Sequence, residues 1–354
     1  RTPEIRLPGY TQKEDPGDLY LEIRTGWRAM RISSLEIHRF KSIKELDLPC
    51  RRVNLFIGPP NTGKSNLLEA MGIFSVPYER DLKTAIRCET VSNLFYDEDV
   101  ESAVQVRAGS YQWTLKAEGD LFRLDAQGPE MAFSYRYSLD GALANGGGSP
   151  PSSSPFRFYR FRPLTRFPGR ESDFLRPVAG ENLMQLLLTR KSLHQLVADL
   201  LKEYDLRIVL KPQESRIEIQ KEVDGVIIAH PYTVLSDTLQ RLIFHLVAIE
   251  SNQNAILILE EPEAHAFPYH TKYLAERIAM DSSNQYFIST HNPYFLLPIL
   301  EKARREEVGV FFTYWKESQT RVRMLEATEI EELMDIGADL FFDLERFLGQ
   351  PEER

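Results

Sequence analysis

Cysteine is scarce: Cys50 and Cys88 are the only two in 354 residues, far apart and outside any metal-ligand spacing. That excludes a disulfide framework and a cysteine-based zinc site. No apolar run approaches the roughly 20 residues of a membrane helix, and no signal-peptide pattern opens the chain. A reducing cytoplasm fits, with no membrane partner. Positive charge is also short, with 43 Lys and Arg against 52 Asp and Glu and a net charge of −9. A surface basic overall is therefore unexpected, and contact with DNA or RNA would need a local patch. Internal repeats and sustained heptads are missing, which argues against a solenoid or a coiled-coil rod. What remains is ordinary for a globular protein, 42% hydrophobic and 27% charged, and long enough for two domains or one enlarged by insertions.

Against that background one stretch carries specific chemistry. Val53–Met71 reads as a buried strand, a glycine-containing loop and a helix in unbroken succession. Gly58, Gly63, Lys64 and Ser65 fill every fixed position of G-x-x-x-x-G-K-[ST], with Pro59, Pro60, Asn61 and Thr62 between them and Asn66 after. Glycines let backbone N–H groups turn inward on an anion, and a helix N-terminus adds its positive end. Lys64 is then expected on the β- and γ-phosphates of ATP and the Ser65 hydroxyl on Mg²⁺.

Around this P-loop the chain divides by composition. Residues 1–29 mix Pro, Gly and charge and read as an extension, with Met30 an alternative start and Leu19–Arg24 a candidate strand. A first core segment covers 30–97. Four strand-like runs over 98–140 predict an antiparallel β subdomain, and the Gly/Ser/Pro tract over 141–155 predicts a mobile loop. Residues 156–230 read as a helical and β insert, with a leucine stripe between Glu181 and Glu203. It opens on Phe156–Arg162, where arginines interleave with aromatics. Single-stranded nucleic-acid binders have that pattern, but so does a half-buried strand whose arginines face solvent or acidic neighbours, and the second reading is favoured.

A second core segment covers 231–348. Ala255–His265 is an apolar strand running into Glu260 and Glu261, the form of a Walker B segment. In an open α/β sheet the carboxyl ends of strands meet, so Glu260 is expected near Mg²⁺ and Glu261 beside the attacking water. Tyr286–Pro293 is a further apolar strand, ending at His291, which can contact the γ-phosphate or position the water. His265 and His270 are read as structural. Thr328–Glu331 predicts a capping box at a C-terminal helix.

Together these motifs resemble ATPase heads of the ABC superfamily, in the branch with RecF, structural-maintenance-of-chromosomes proteins and OLD-family ATPases. The resemblance spans Met30 to about Leu348, and Glu260–His265 looks like the small OLD-like group. It implies a P-loop NTPase of ABC type, a mainly parallel central sheet flanked by helices. It also implies an ATP-sandwich homodimer in which Ser236, in Leu235–Arg241, meets the partner's γ-phosphate. Arg39 and Lys41 match basic residues near the nucleotide, and Asn93 is the candidate to complete the Mg²⁺ shell. Asp237 and Thr238 replace the glycines that usually follow the signature serine, and Glu260 replaces an aspartate. With no effector domain of its own, the chain is expected to drive a separate protein effector, in DNA repair, chromosome handling or phage defence. The alternative is a nucleotide-gated scaffold that binds nucleic acid or protein.

Overall fold

The computed structural model describes residues 31–342. The candidate start at Met30, the strand considered at Leu19–Arg24 and residues 343–348 lie outside them. Among the described residues sixteen strands form three sheets. The first is antiparallel, in the order β2-β1-β4-β5-β6-β7-β8. Its strands are β1 (Ser34–Phe40), β2 (Ile43–Pro49), β4 (Val104–Ala108), β5 (Tyr111–Glu118), β6 (Leu121–Gln127), β7 (Ala132–Tyr137) and β8 (Leu143–Gly148). The second runs β16-β15-β3-β14-β13-β9. Here β3 (Val53–Ile57), β9 (Phe156–Tyr159), β13 (Ile256–Glu260), β14 (Gln285–Ser289) and β15 (Val308–Lys316) are parallel, and only β16 (Gln319–Met324) is antiparallel. The third is a small antiparallel sheet of β10 (Arg207–Lys211), β11 (Arg216–Val223) and β12 (Val226–Pro231).

Alternation along the parallel strands sets the layering. Val53, Leu55 and Ile57 face one core together with Leu257, Leu259 and Ile288. Phe56, Ile256, Ile258, Phe287, Phe156 and Phe158 face the other. Side chains of a strand point alternately to its two faces, so strands buried on both are largely apolar, and the polar residues Asn54, Arg157 and Gln285 within them are hydrogen-bonded to backbone carbonyls. The second core also holds Leu67, Leu68 and Met71 of helix α1 (Lys64–Gly72) and the inner face of the seven-stranded sheet. Helix α1 is thus enclosed between two sheets, and the indole of Trp113 on β5 donates to the Ala70 carbonyl at 2.9 Å. The first core is covered by α2 (Leu183–Thr189), α3 (Lys191–Lys202), α4 (Asp237–Ser251), α5 (Pro268–Met280), α6 (Pro293–Lys302) and α7 (Ala327–Ile336).

Several expectations are corrected. The antiparallel sheet crosses the expected boundaries at 97/98 and 140/141, because β1 pairs with β4 and because Leu143–Gly148, expected as a mobile loop, pairs with β7. Pairing uses backbone groups, so a glycine-rich run with exposed side chains still forms an edge strand. Phe156–Tyr159 is not part of an insert; it is an edge strand of the parallel sheet, beside β13, with all four residues buried. The C-terminal helix is capped by Glu326 with Glu329 at the third position, two residues before the expected Thr328–Glu331 box. Among the described residues no helix is long and apolar enough to cross a membrane.

Phe56 stacks between Phe311, at 5.1 Å, and Phe287, at 6.4 Å, under the P-loop. Phe56→Ala is expected to lower stability by about 3–5 kcal/mol, read as a lower denaturant midpoint with an unchanged slope.

Candidate nucleotide site

At the end of β3 the chain turns over Gly58, at φ 145°, and enters α1 through Gly63, at φ 93°. Both values lie where L side chains are strained. A Cβ at Gly58 would strike Thr313 of β15, and one at Gly63 would strike Thr320 of β16. The neighbouring hairpin therefore forms the back wall of the loop. Thr62 Oγ1 lies 2.7 Å from Thr313 Oγ1 and donates to the Pro59 carbonyl at 2.8 Å, while Asn66 Nδ2 donates to Ser42 Oγ at 2.7 Å. Lys64 folds back, its ammonium donating to the Gly58 and Pro59 carbonyls at 2.8 Å each. Burial pushes its pKa down, opposed by the charge of Glu261. Pro60 and Asn61 are exposed at the loop's tip, and Pro59 and Ser65 are half-buried.

Register carries the distant motifs to this loop. Phe56 pairs with Ser289, and Ser289 with Glu260, so the ends of β3, β14 and β13 are level. With neighbouring strands about 4.8 Å apart, Glu260 stands roughly 10 Å across the sheet from β3. Just beyond, Glu261 (φ 43°) donates its backbone N–H to Ser289 Oγ at 3.3 Å, and its Oε1 lies 3.2 Å from His291 Nδ1. That hydrogen bond is the main reason the Glu261 carboxyl is held below its usual range and the His291 imidazole above its own.

Behind this pair stands a residue the motif analysis did not single out. Glu263 is 2% exposed; one oxygen accepts from Thr290 Oγ1 at 2.5 Å and the other has no partner. Burial pushes its carboxyl up to about 7.

A second group missed from the sequence is ionic. Glu69 of α1, 1% exposed, receives Lys41 Nζ at 2.5 Å, Arg87 Nε at 2.8 Å and Arg160 Nη2 at 2.6 Å. Burial alone would raise the Glu69 carboxyl, but Lys41, Arg160 and Arg87 outweigh it and hold it low. The same two arginines reach Glu260, Arg87 Nη2 to Oε1 at 2.6 Å and Arg160 Nε to Oε2 at 2.9 Å. Ser65 and Glu260 are the hydroxyl and carboxylate that Mg²⁺ takes in P-loop sites, so the donor set fits in kind. Both Glu260 oxygens nonetheless hold guanidinium groups.

The remaining candidates sort clearly. Lys41 lies in this network, whereas Arg39 pairs with Asp99. Asn93 is corrected: its side-chain oxygen accepts the backbone N–H groups of Glu89 and Thr90, both at 2.9 Å, and fixes a turn. The strand end flanking Glu260 is occupied by Arg160 instead. Ser236 is the N-cap of α4, its Oγ accepting from Leu239 N at 3.3 Å. Asp237 is drawn to Arg241, at 2.7 Å, and His265, at 3.2 Å.

The Arg/aromatic stretch forms the strand favoured over a nucleic-acid groove, more deeply buried than expected. Arg157 is 5% exposed, donates to the carbonyls of Ser154, Phe156 and Ser152, and lies 4.0 Å from the Phe174 ring centre. Arg160 belongs to the carboxylate network, and Arg162 donates to the Thr84 carbonyl at 2.5 Å. Arg157 and Arg160 thus present no open cationic stripe to nucleic acid.

Residues 30–107 match the family model described as AAA ATPase domain. Among solved structures, an Smc head bound to the C-winged helix domain of ScpA superposes with a TM-score of 0.52 at 16% identity, covering 85% of this chain and 99% of that one. The fold is that of an SMC head. An Smc head with an extended coiled coil, with ScpA, from Pyrococcus furiosus matches at 14% identity and TM-score 0.47 over 86% of this chain and 98% of that one. The head from Thermotoga maritima matches at 14% and 0.40, over 84% and 100%. No curated relative matches by sequence. In this chain the P-loop strand and the carboxylate-bearing strand end at one edge of the parallel sheet.

The Glu261–His291 pair has a defined pH window. The raised His291 pKa makes its contribution fully present below 6.5 and lost as pH rises through the folded value. The lowered Glu261 pKa makes its contribution present above 4.5 and lost as pH falls through the folded value. An NMR titration should therefore show His291 titrating above 6.5, and Glu261→Gln should return it towards that value. An unchanged midpoint in the variant would contradict the pairing.

Proposed function

We propose that this head binds and hydrolyses ATP with Mg²⁺, closes as an ATP-sandwich homodimer and drives a separate effector. The observation that carries the reading is the meeting of Glu261 and His291, 3.2 Å apart, at strand ends level with the P-loop strand. Gly58–Ser65 would wrap the phosphates with backbone N–H groups. Lys64 would leave the Gly58 and Pro59 carbonyls for the β- and γ-phosphates. Ser65 and Glu260 would hold Mg²⁺, which would supply positive charge against the developing negative charge of the phosphates. Glu261 is the general base: ionised by its hydrogen bond to His291, it can accept a proton from water, and His291 orients it and faces the γ-phosphate. Stabilisation of this kind comes from position and charge rather than covalent chemistry.

The dimer draws support from what surrounds this edge. Phe267, 71% exposed, follows the Glu260–His265 turn, and Tyr294, 49% exposed, follows His291. Large apolar side chains beside a half-built site suit a surface that a second copy covers. Ser236, at the N-terminus of the 15-residue α4, would present its hydroxyl to the partner's γ-phosphate, and Asp237 is neutralised by Arg241 rather than left to repel it. The similar Smc head is bound to a winged-helix domain, and by analogy a separate protein is proposed as effector here, with DNA repair or phage defence as the setting and the OLD-like branch as the lineage.

Glu261→Gln is expected to retain ATP binding and lose turnover by about 10²–10⁴-fold, whereas Lys64→Ala loses binding itself. Phosphate release measured beside equilibrium ATP binding checks both, and a Glu261→Gln protein hydrolysing at the wild-type rate would contradict the assignment.

A further inference from the structure

Arg160 is the first residue after β9, and the pairing of Tyr159 with Leu259 places it opposite Glu260 at the end of β13. Its side chain is 16% exposed, its guanidinium lies 5.0 Å from the Phe158 ring centre, and it bridges Glu260 and Glu69. Arg87 bridges the same two carboxylates from the opposite side of the chain's order, through a loop whose side chain is 55% exposed. With Lys41, three cations meet two carboxylates. Any divalent cation approaching Glu260 therefore meets a carboxylate already neutralised on both oxygens, inside a partly desolvated site where like charges repel more strongly than in water.

We propose that Arg160, aided by Arg87, is a positioning residue that holds Glu260 as an internal counter-ion and so sets how much Mg²⁺ nucleotide binding requires. This rests on the ATP-binding reading above. Mg²⁺ alone cannot displace the guanidinium groups without leaving them short of negative charge. A triphosphate supplies that charge, in a geometry that suits a planar guanidinium, so Glu260 is released to the metal only when metal and nucleotide arrive together. The device couples the nucleotide to β9 and to α1, since Arg160 sits on the one and Glu69 on the other.

The test is a fluorescence titration of mant-ATP onto the full chain over a range of Mg²⁺ concentrations, for wild type, Arg160→Gln, Arg160→Lys and Arg87→Gln. Arg160→Gln should lower the half-saturating Mg²⁺ roughly three- to tenfold, and Arg160→Lys, which keeps the charge but not the planar bridge to both carboxylates, should fall between Arg160→Gln and wild type. Arg87→Gln, at a more exposed position, should shift in the same direction and covers the case in which Arg160→Gln fails to fold. Wild-type Mg²⁺ dependence in the folded Gln variants overturns the proposal while leaving the nucleotide site standing. Failure of wild type to bind mant-ATP any better than Lys64→Ala overturns the nucleotide reading and this proposal with it.

Discussion

Parallel pairing of three short strands is the constraint on which the rest of the molecule depends. β3, β14 and β13 come from positions more than 200 residues apart in part, yet their register makes Phe56, Ser289 and Glu260 level. Parallel strands end at the same edge, so each can deliver a polar group there while its body stays apolar on both faces. The two cores follow from the same strands by alternation. One is closed by helices; the other encloses α1 beneath the seven-stranded sheet. The P-loop helix is thereby held between the two sheets, and its N-terminus lies at the edge where Glu261 and His291 meet.

Charge at that edge is arranged in two tiers. Nearest the loop, Lys64 folds onto backbone carbonyls and Glu261 shares a hydrogen bond with His291. Farther along, Glu69 and Glu260 are saturated by Lys41, Arg87 and Arg160. Glu69 is almost fully buried, and a lone carboxylate there would be costly; with three cations around it, the carboxyl stays ionised. Arg87 and Arg160 each bridge both carboxylates, which ties the end of β9, the Arg87 loop and α1 into one electrostatic unit.

How much of this was legible depended on range. The P-loop, the Glu260–Glu261 strand end and the strand before His291 announce themselves locally, through glycine placement and apolar runs of strand length. Arg160 did not: its interleaving with aromatics favours a strand over a nucleic-acid groove, but its carboxylate partners lie 91 and 100 residues away and leave no local signal. Glu263 looked like one acid among several in an acidic turn until burial set it apart. The edge strand Leu143–Gly148 was hidden for another reason. Side-chain composition signals packing, and this strand is held by backbone pairing alone. Asn93 failed as a metal candidate because local backbone capping, a short-range competitor, had already taken its oxygen.

In the proposed dimer each copy supplies one half of the nucleotide site. Light scattering of the Glu261→Gln protein with and without Mg-ATP tests that arrangement most directly. The account predicts a monomer without nucleotide and a mass near twice 40.9 kDa with it. A mass that stays monomeric at saturating Mg-ATP would contradict it.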